Sequence, residues 1–404
     1  MTLLPKEQIA QSTNKNFISV RIPSCSTYLS TDIDILGFDK KVVQTKYLDG
    51  FNRVTQCVTQ QATDNWNGKD LVQFFHYDLQ DRQPKIYLPY VATSSNGEFQ
   101  QDPVRGQLDF FSTASKVSHD GPFYSENKFD NSPLNQVVES SAPGASWEMG
   151  NGHTISQSLS FNEANEIFQW KVNFDPQGRP IGATQVASYP ENTLFKQSIV
   201  DEHGNISYEY KDNSGHIICK QIKAYTDVDN MTSDFTNGTL LQSSAGSIKD
   251  YYSYYVYDDF GRLTYQLSAI ALQKLSGQGN NFIDDEYLTD LIFKDFIYAW
   301  HYDELDRQIE KHVPGSNWEY YVFNKANAII FSQDAIQKSN SIWSFKKYDI
   351  LGRAIMQGVF SSSLNRNNLQ LNADQHDFIY EERNNTSDGY TNLALPISSF
   401  EIYQ

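Results

Sequence analysis

The hexapeptide Tyr257-Asp258-Asp259-Phe260-Gly261-Arg262 decides the fold, because it returns as Tyr302-Asp303-Glu304-Leu305-Asp306-Arg307 and as Tyr348-Asp349-Ile350-Leu351-Gly352-Arg353. Its aspartates lie 45 and 46 residues apart along the chain. Each copy has an aromatic residue, an aspartate, two variable residues, a turn-forming residue and an arginine, followed by residues that alternate between apolar and polar. The pattern predicts a β-hairpin corner that repeats along the chain.

The chemistry of a corner explains these residue types. An aspartate accepts backbone N–H groups two residues on, and the aromatic residue suits a half-buried strand. We therefore expect the aspartate at the first turn position, and a positive φ at Gly261, Gly352 and either Asp306 or Asp81, since glycine, asparagine and aspartate tolerate it. The arginine leaves the turn on the next strand, where it is expected to pair with an aspartate or stack on a tyrosine of a neighbouring repeat.

Further copies precede the central three. Tyr77–Arg82 and Phe174–Arg179 fit fully, and Tyr47–Arg53 fits with its aromatic residue shifted by one. Weaker copies at Asp201 and Asp212 keep the turn and lack the arginine. Six copies with aspartate and arginine in register indicate internal repetition. The predicted corner residues are Asp49, Arg53, Asp78, Arg82, Asp175, Arg179, Asp258, Gly261, Arg262, Asp303, Arg307, Asp349, Gly352 and Arg353.

A second signature, proline-glycine followed by two spacers, tryptophan and glutamate, occurs at Pro143–Glu148 and again at Pro314–Glu319. Proline-glycine fits the centre of a type II turn. We expect Trp147 and Trp318 to lie two residues into the following strand, wedged between layers.

The composition favours an all-β chain, because 25 tyrosines and 25 phenylalanines are more than a helical protein needs and aromatic residues prefer strands. We expect a lead segment over residues 1–40 and a repeat domain over residues 41–404. Residues 91–127 are polar and turn-rich, which predicts a long surface insertion, and residues 361–375 turn polar. A short helical insertion is predicted near residues 268–296.

That insertion has two predicted pieces. Ala269–Leu275 is rich in alanine and leucine and ends before Gly277. Asp284 is expected to cap a second helix that carries Tyr287, Leu288, Leu291 and Ile292 on one face.

The net charge of −17 and the isoelectric point near 4.8 argue against nucleic acid and against an anionic membrane surface. The apolar runs are short and the mean hydropathy is −0.55, so no membrane insertion is expected. Residues 1–21 show no apolar core of a signal peptide. Three cysteines without metal-ligand spacing, Cys25, Cys57 and Cys219, predict reduced and mostly buried thiols, and they leave the redox compartment open.

No motif of a common catalytic class is present in the sequence, so no enzymatic activity, catalytic residue, metal or cofactor is predicted. His153, His301 and His312 are the histidines to consider, and they are interpreted as hydrogen-bonding residues of strands or turns rather than as bases or ligands. The acidic pairs Asp258-Asp259 and Asp284-Asp285 are interpreted as turn caps rather than Ca²⁺ ligands.

The repeated Tyr-Asp-x-x-Gly-Arg corner resembles the YD repeat of Rhs proteins, which include polymorphic toxins, toxin-complex components and teneurins. Residues 40–395 more closely resemble the N-terminal region of Rhs-like proteins from Bacteroidetes, a domain of unknown function. The shorter motifs that carry this resemblance are Tyr47-x-Asp49-Gly50-x-x-Arg53, Tyr87-Leu88-Pro89-Tyr90, Ser132-Pro133-Leu134-Asn135, Ala142-Pro143-Gly144-Ala145-x-Trp147, Gly152-His153-Thr154 and Gly389-Tyr390-Thr391-Asn392.

The resemblance implies a curled, shell-like antiparallel sheet that encloses or presents another polypeptide, either the C-terminal remainder of its parent protein or a toxin cargo. It also implies a secreted or cell-surface location. The Asp-Pro-x-Gly-Leu motif of the family's self-cleaving core is not matched, because Asp175-Pro176-Gln177-Gly178-Arg179 belongs to the repeat series. The alternative is a cell-surface adhesin that binds glycan or protein through exposed aromatic residues. The chain ends within a strand-like pattern, so self-association through a strand edge is also expected.

Overall fold

The computed structural model describes residues 14–24, 30–63, 68–226, 247–285, 287–385, 389–397 and 400–402. Contacts divide the chain into two units: Met1–Ser158 with Ile199–Ile206, and Leu159–Ser198 with Ser207–Gln404. The protein is mostly antiparallel β-sheet with a few short helices, as the composition predicts, and its sheets are open.

The first unit contains most of the chain before residue 159. Its elements are β1 (Asn16–Pro23), α1 (Ser30–Ile35), β2 (Lys41–Leu48), β3 (Val54–Thr59), β4 (Leu71–Phe74), β5 (Lys85–Tyr87), β6 (Tyr90–Val91), α2 (Pro103–Thr113), β7 (Tyr124–Phe129), β8 (Val137–Ser141), a 3₁₀ turn at Ala145–Trp147 and the start of β9 (Ile155–Phe161). One antiparallel sheet has the order β1-β2-β3-β4-β6, and a second run is β5-β7-β8-β9.

Buried and exposed side chains alternate along β2, and the buried ones contribute to the core of the first unit. Val43, Thr45 and Tyr47 point inward, while Val42 is exposed. The Tyr47 hydroxyl donates to the Gly97 carbonyl at 2.7 Å, so a fully buried ring has its polar end satisfied. Strand β1 pairs with β2 along its whole length, which places part of the predicted lead segment in the same sheet as the first repeat.

The second unit contains the three central copies of the corner motif. Its elements are β10 (Phe168–Phe174), β11 (Pro180–Ser188), β12 (Phe195–Val200), β13 (Ile206–Lys211), β14 (Ile217–Thr226), β15 (Ser247–Tyr257), β16 (Leu263–Leu267), α3 (Ala269–Leu275), β17 (Asn281–Ile283), α4 (Leu291–Phe296), β18 (Ile297–Tyr302), β19 (Gln308–His312), β20 (Trp318–Phe323), β21 (Ile329–Gln333), α5 (Ala335–Ser339), β22 (Ile342–Tyr348), β23 (Ala354–Ser361), α6 (Arg366–Gln375) and β24 (Phe400–Ile402). A three-stranded sheet has the order β10-β11-β17, and a long antiparallel run follows the order β13-β14-β15-β16-β18-β19-β20-β21-β22-β23-β24.

The predicted helical insertion is confirmed in its first piece and partly wrong in its second. Helix α3 spans Ala269–Leu275 as expected and is capped by Ser268. Helix α4 is shorter than predicted: it begins at Leu291, and its cap is Asp290, whose Oδ1 accepts from the N–H of Ile292 at 2.9 Å. Asp284 is not a helix cap, because it follows β17 and is buried.

Four of the described helices, α1, α2, α5 and α6, lie where the sequence predicted no helix, and α2 and α6 are the two longest of them. Helix α2 falls inside the predicted surface insertion, and α6 falls in the polar segment 361–375. Both bury a glutamine whose side chain bonds backbone: the Gln107 amide donates to the Leu88 carbonyl, next to β5, at 2.6 Å, and the Gln370 amide donates to the Phe323 carbonyl, at the end of β20, at 2.8 Å. Polar residues on the inward face weakened the helical periodicity in the sequence. Among the described residues, no helix is long and apolar enough to cross a bilayer.

Candidate functional site

The corner at Asp258 shows how the hexapeptide folds. The N–H of Asp258 donates to the Arg262 carbonyl at 3.0 Å, and the N–H of Gly261 donates to the Asp258 carbonyl at 3.0 Å. The carboxylate then fills the turn: Oδ1 accepts from the N–H groups of Phe260 and Arg262 at 3.0 and 2.9 Å, and Oδ2 accepts from Arg262 Nε at 2.7 Å. One aspartate therefore satisfies two backbone donors and one guanidinium.

Other predicted corners repeat this geometry. In each, the aspartate Oδ1 accepts from backbone N–H groups two and four residues on, and the arginine donates Nε to Oδ2. Burial raises the pKa of Asp303, but the hydrogen bonds from Arg307 outweigh it and hold that pKa below its ordinary value. The four corners with this arrangement are Asp49–Arg53, Asp78–Arg82, Asp303–Arg307 and Asp349–Arg353.

The fourth residue of each corner has a left-handed backbone, as the sequence predicts. Gly261 and Gly352 have φ of 77° and 75°, and Asp81 and Asp306 have φ of 62° and 59°. Just before the Asp258, Asp303 and Asp349 turns the strand register shifts by one residue, which is the mark of a β-bulge. The corner is therefore a tight turn joined to a bulge, a form that requires a residue tolerant of positive φ.

The corner arginines also reach forward to the next corner. Arg262 donates to Asp306 Oδ1 at 3.0 Å, and its guanidinium lies 5.2 Å from the centre of the Tyr302 ring. The sequence predicted that a corner arginine either pairs with an aspartate or stacks on a tyrosine of a neighbouring repeat, and Arg262 does both. Three further arginines make the same pair of contacts, namely Arg53 with Asp81 and Tyr77, Arg82 with Asn135 and Phe129, and Arg307 with Asn327 and Phe323.

The corner tyrosines reach back to the preceding corner. The Tyr302 hydroxyl donates to the Leu263 carbonyl at 2.9 Å, and Leu263 is the residue that follows Arg262. Equivalent bonds join Tyr77 to Val54, Tyr257 to Ile217 and Tyr348 to Ile329. A phenylalanine fills the same space without this bond, so the hydroxyl explains why the motif favours tyrosine. The sequence predicted only strand packing for the aromatic residue, and this contact was not expected.

The two links explain which residue occupies the left-handed position. Asp81, Asn135, Asp306 and Asn327 each face an arginine of the preceding corner and supply a side-chain oxygen to it. Gly261 lies instead beside His216, which takes the arginine position of its corner and whose ring centre is 4.7 Å from that of Tyr257. Aspartate or asparagine is therefore found where an arginine needs an acceptor.

Several corners depart from the pattern. Asp175 keeps the backbone bonds, but Arg179 donates to Glu310 at 3.3 Å instead of bridging its own turn. The weaker copies place Asn205 and His216 where the arginine stands elsewhere, and both side chains bond the aspartate Oδ2. A further corner at Asn324, whose Oδ1 accepts from the N–H groups two and four residues on, was not predicted, because neither aspartate nor arginine marks it.

The two tryptophans of the Pro-Gly signature have different environments. Trp318 is buried and begins β20, while Trp147 is half-buried in the 3₁₀ turn and faces His153 with ring centres 5.4 Å apart. The predicted strand position of Trp147 is therefore wrong. Gly144 has φ of 115° and its N–H donates to the Pro122 carbonyl at 2.9 Å, so the chain turns before a strand starts.

A buried cluster around His301 joins residues far apart in sequence. His301 Nε2 donates to Asp284 Oδ2 at 2.8 Å, and Nδ1 donates to Glu310 Oε2 at 2.8 Å. The Tyr265 hydroxyl donates to the same Asp284 oxygen at 2.8 Å and accepts from the Gly182 N–H at 3.0 Å. Because Gly182 lies on β11 and His301 on β18, the cluster fastens the three-stranded sheet to the long antiparallel run.

The geometry requires a charged imidazole. Burial opposes the charge, but the two carboxylates outweigh burial and raise the pKa of His301 to about 9. Burial likewise raises the pKa of Glu310, and the contacts with His301 and Arg179 outweigh it and lower that pKa. Both ring nitrogens donate, so His301 has no lone pair with which to act as a base.

The remaining nominated groups also have structural roles. His312 is buried, its Nδ1 donates to the Ile297 carbonyl at 3.0 Å, and burial lowers its pKa. His153 is exposed and bonds the Glu202 carbonyl at 3.1 Å. Cys219 is buried and Cys57 half-buried, and both are free thiols, while Cys25 lies outside the described residues. Within the described ranges, no group of His, Cys, Asp or Glu side chains is arranged to hold a metal ion.

Comparisons with known proteins give one family and a set of solved structures. Residues 23–161 match the model of a domain of unknown function, DUF6443. The crystal structure of TcdB2-TccC3-TEV is similar with a TM-score of 0.47 and 11% identity, covering 81% of this chain and 13% of that one. That of TcdB2-TccC3 has a TM-score of 0.47 and 13% identity over 80% and 13%. A Photorhabdus luminescens Tc holotoxin pore has a TM-score of 0.30 and 10% identity over 80% and 14%. No curated protein sequence matches.

Proposed function

We propose that the protein is a non-enzymatic β-repeat scaffold, a segment of an Rhs-like shell of the polymorphic-toxin type, and that it encloses or presents another polypeptide. The observation that carries the proposal is the set of links between consecutive corners, in which an arginine reaches forward or a tyrosine hydroxyl reaches back. Both links join the Asp49 and Asp78 corners and the Asp258 and Asp303 corners. Repeat arrays are stabilised by contacts between neighbouring units and use their extended surfaces to bind partners. A sheet whose turns are tied in this way provides a stiff surface of that kind.

The charged groups support a scaffold rather than a catalyst. The Asp258 carboxylate is filled by its own turn, and both nitrogens of His301 are held by carboxylates, so neither is available to a substrate. The proposal therefore includes no catalytic step. It also includes a location outside the cell or on its surface, which fractionation of the producing cells would test.

The partner is proposed to be a neutral or basic polypeptide, because the chain has a net charge of −17. The test is to co-express the chain with the polypeptide encoded beside it, then purify the chain and follow protease digestion of the partner. Co-purification and slower digestion of the partner are expected. Equal digestion with and without the chain, and no co-purification, would remove the scaffold proposal and leave a surface adhesin, which a glycan array would then examine.

A further inference from the structure

A cleft of about 370 Å³ opens within the second unit, between β10 and the β14–β15 hairpin. A hydrogen bond joins the two elements, since the N–H of Phe168 donates to the Tyr254 hydroxyl at 3.1 Å. The Trp170 and Tyr254 rings lie 6.3 Å apart, centre to centre. The cleft thus has walls from two packed layers rather than from a loop.

Aromatic residues contribute to the lining. Trp170, Tyr189, Tyr255 and Tyr257 line the cleft and are all half-buried, so part of each side chain remains accessible. The face of such a ring attracts an ammonium or guanidinium group, and the attraction grows as water is excluded. Aromatic side chains beside a carboxylate are a combination that suits an organic cation.

The charges of the lining favour the same ligand. Two carboxylates, Asp212 and Asp259, line the cleft, against one ammonium group, Lys171. The Asp212 carboxylate is held by its corner, with Oδ2 at 2.9 Å from His216 Nδ1. Asp259 is exposed and makes no hydrogen bond or ion pair with any described residue. The carboxylate of its neighbour Asp258, in contrast, is occupied by the groups of its own turn. Asp259 is the group that an incoming cation would meet.

The rim is apolar. Phe168 and Val186 line the cleft and are 42% and 54% exposed. The side chains of lysine and arginine carry an aliphatic stem that packs on such surfaces while the charged end reaches polar groups. An apolar rim over an aromatic and acidic interior therefore fits a long basic side chain that enters from a polypeptide.

We propose that this cleft is a binding site for a lysine or arginine side chain of the polypeptide partner. The inference rests on the proposed scaffold function and adds a position and a chemistry to it. Aromatic side chains of the lining contact the cationic end, Asp259 neutralises it, and Phe168 with Val186 contact its stem. An acidic or purely apolar segment has no partner for Asp259 and would leave that charge uncompensated.

The first test uses a fluorescein-labelled nonapeptide of alternating lysine and serine, and the same peptide with glutamine in place of lysine. Fluorescence anisotropy with the full chain is expected to show binding of the lysine peptide and at least tenfold weaker binding of the glutamine peptide. Asp259→Asn should weaken the lysine peptide by about three- to tenfold. The matched control is Glu304→Gln, the equivalent exposed position of the next corner, which does not line the cleft. It should leave the affinity unchanged.

A second pair of variants tests the rings. Trp170→Leu should also weaken the lysine peptide, while Trp300→Leu, a half-buried tryptophan of β18 outside the lining, should not. Circular dichroism and thermal unfolding would show whether each variant is folded. Equal affinity for the two peptides, no binding of either, or equal losses in Asp259→Asn and Glu304→Gln would overturn the assignment.

The protease-protection experiment separates this inference from the function on which it rests. If the wild-type chain does not protect the co-expressed partner, the scaffold proposal fails. If the wild-type chain protects the partner and Asp259→Asn and Trp170→Leu protect it equally well, the scaffold stands and the cleft is not its contact site. Faster digestion in these two variants, but not in Glu304→Gln and Trp300→Leu, is the result that the inference predicts.

Discussion

The series of Asp–Arg corners, here called the corner row, and the buried His301 cluster are two charged networks that differ in how they are built. At the corners, each aspartate bonds groups two and four residues on in the chain, and the links between corners are partly exposed, with Asp306 76% exposed in its pair with Arg262. In the cluster, His301 is 2% exposed and its two carboxylate partners come from other segments, Asp284 after β17 and Glu310 on β19. A local network leaves a repeated pattern in the sequence, and a tertiary network does not. Removing one partner should also destabilise the protein more in the buried network than at an exposed pair, because it leaves a buried charge uncompensated.

The largest effect is expected from removing the charge at the centre of the cluster. His301→Leu would leave Asp284 and Glu310 buried beside an apolar side chain, and breaking a buried ion pair in this way costs about 3–5 kcal/mol. Urea unfolding monitored by circular dichroism would measure the loss. The control is His153→Leu, because His153 is exposed and its substitution should change the free energy of unfolding little.

The second effect is a loss of stability at alkaline pH. The pKa of His301 is raised to about 9, above the value of roughly 6.5 expected when unfolded. The contribution of charged His301 to the free energy of unfolding is therefore fully present below about pH 6.5. It is lost as the pH rises through about 9, by about 3 kcal/mol in total. Asp284, Glu310, Tyr265, Arg179 and His312 are the titratable groups that face or surround this histidine.

Urea unfolding from pH 6 to pH 10 would measure this loss, and His301→Gln is the comparison. The variant should be less stable at neutral pH and should lack the alkaline decline that the histidine causes. The same slope in both proteins would show that another group titrates.

The third comparison lies within the corner row. Gly352→Ala adds a side chain at φ of 75° with no atom within 4 Å, so only the left-handed backbone is strained, at a cost of about 1 kcal/mol. Gly261→Ala has the same backbone strain, and its Cβ would also lie 3.2 Å from His216 Cε1. Thermal unfolding should show a larger loss of stability for Gly261→Ala than for Gly352→Ala, of roughly 1–2 kcal/mol. Equal losses would mean that His216 moves aside.

The smallest effect concerns the tyrosine link between corners. Tyr302→Phe keeps the ring beside Arg262 and leaves the Leu263 carbonyl without its donor, at an expected cost of about 1 kcal/mol. Tyr298→Phe, on the same strand, is the control, because no hydrogen bond of that hydroxyl joins it to a described residue. If both variants unfold at the same denaturant concentration as the wild type, the hydroxyl link does not stabilise the array.

The same contrast between local and tertiary contacts explains which features could be predicted from the sequence. The all-β class, the corners and the helix at Ala269–Leu275 were predictable, because residues close together in the chain produce each of them. Asn324 was missed because asparagine and alanine replace the marker residues while the carbonyl oxygen of the amide makes the same bonds. Helices α2 and α6 were missed because their inward faces carry buried glutamines that bond backbone carbonyls instead of forming an apolar stripe.

The His301 cluster could not be predicted from the sequence, for a different reason. Asp284 and Glu310 lie 17 and 9 residues from His301, and Arg179 lies 131 residues from Glu310, so no local spacing reveals them. The cleft between β10 and the β14–β15 hairpin likewise exists only after two distant segments pack together. Asp284 looked like a turn cap, since a carboxylate after a short strand has that role more often than a buried one.

Native-state hydrogen exchange of the second unit tests the central claim most directly, because double links between corners should make consecutive hairpins open together. The amides of Arg262 and Arg307, which donate to the aspartates of their own turns, report on two successive corners. The account predicts that these amides and the strands between them exchange with one common opening free energy, close to that of global unfolding. Separate and much lower free energies for each hairpin would contradict it, because the sheet would then be a chain of independent hairpins and not a stiff scaffold.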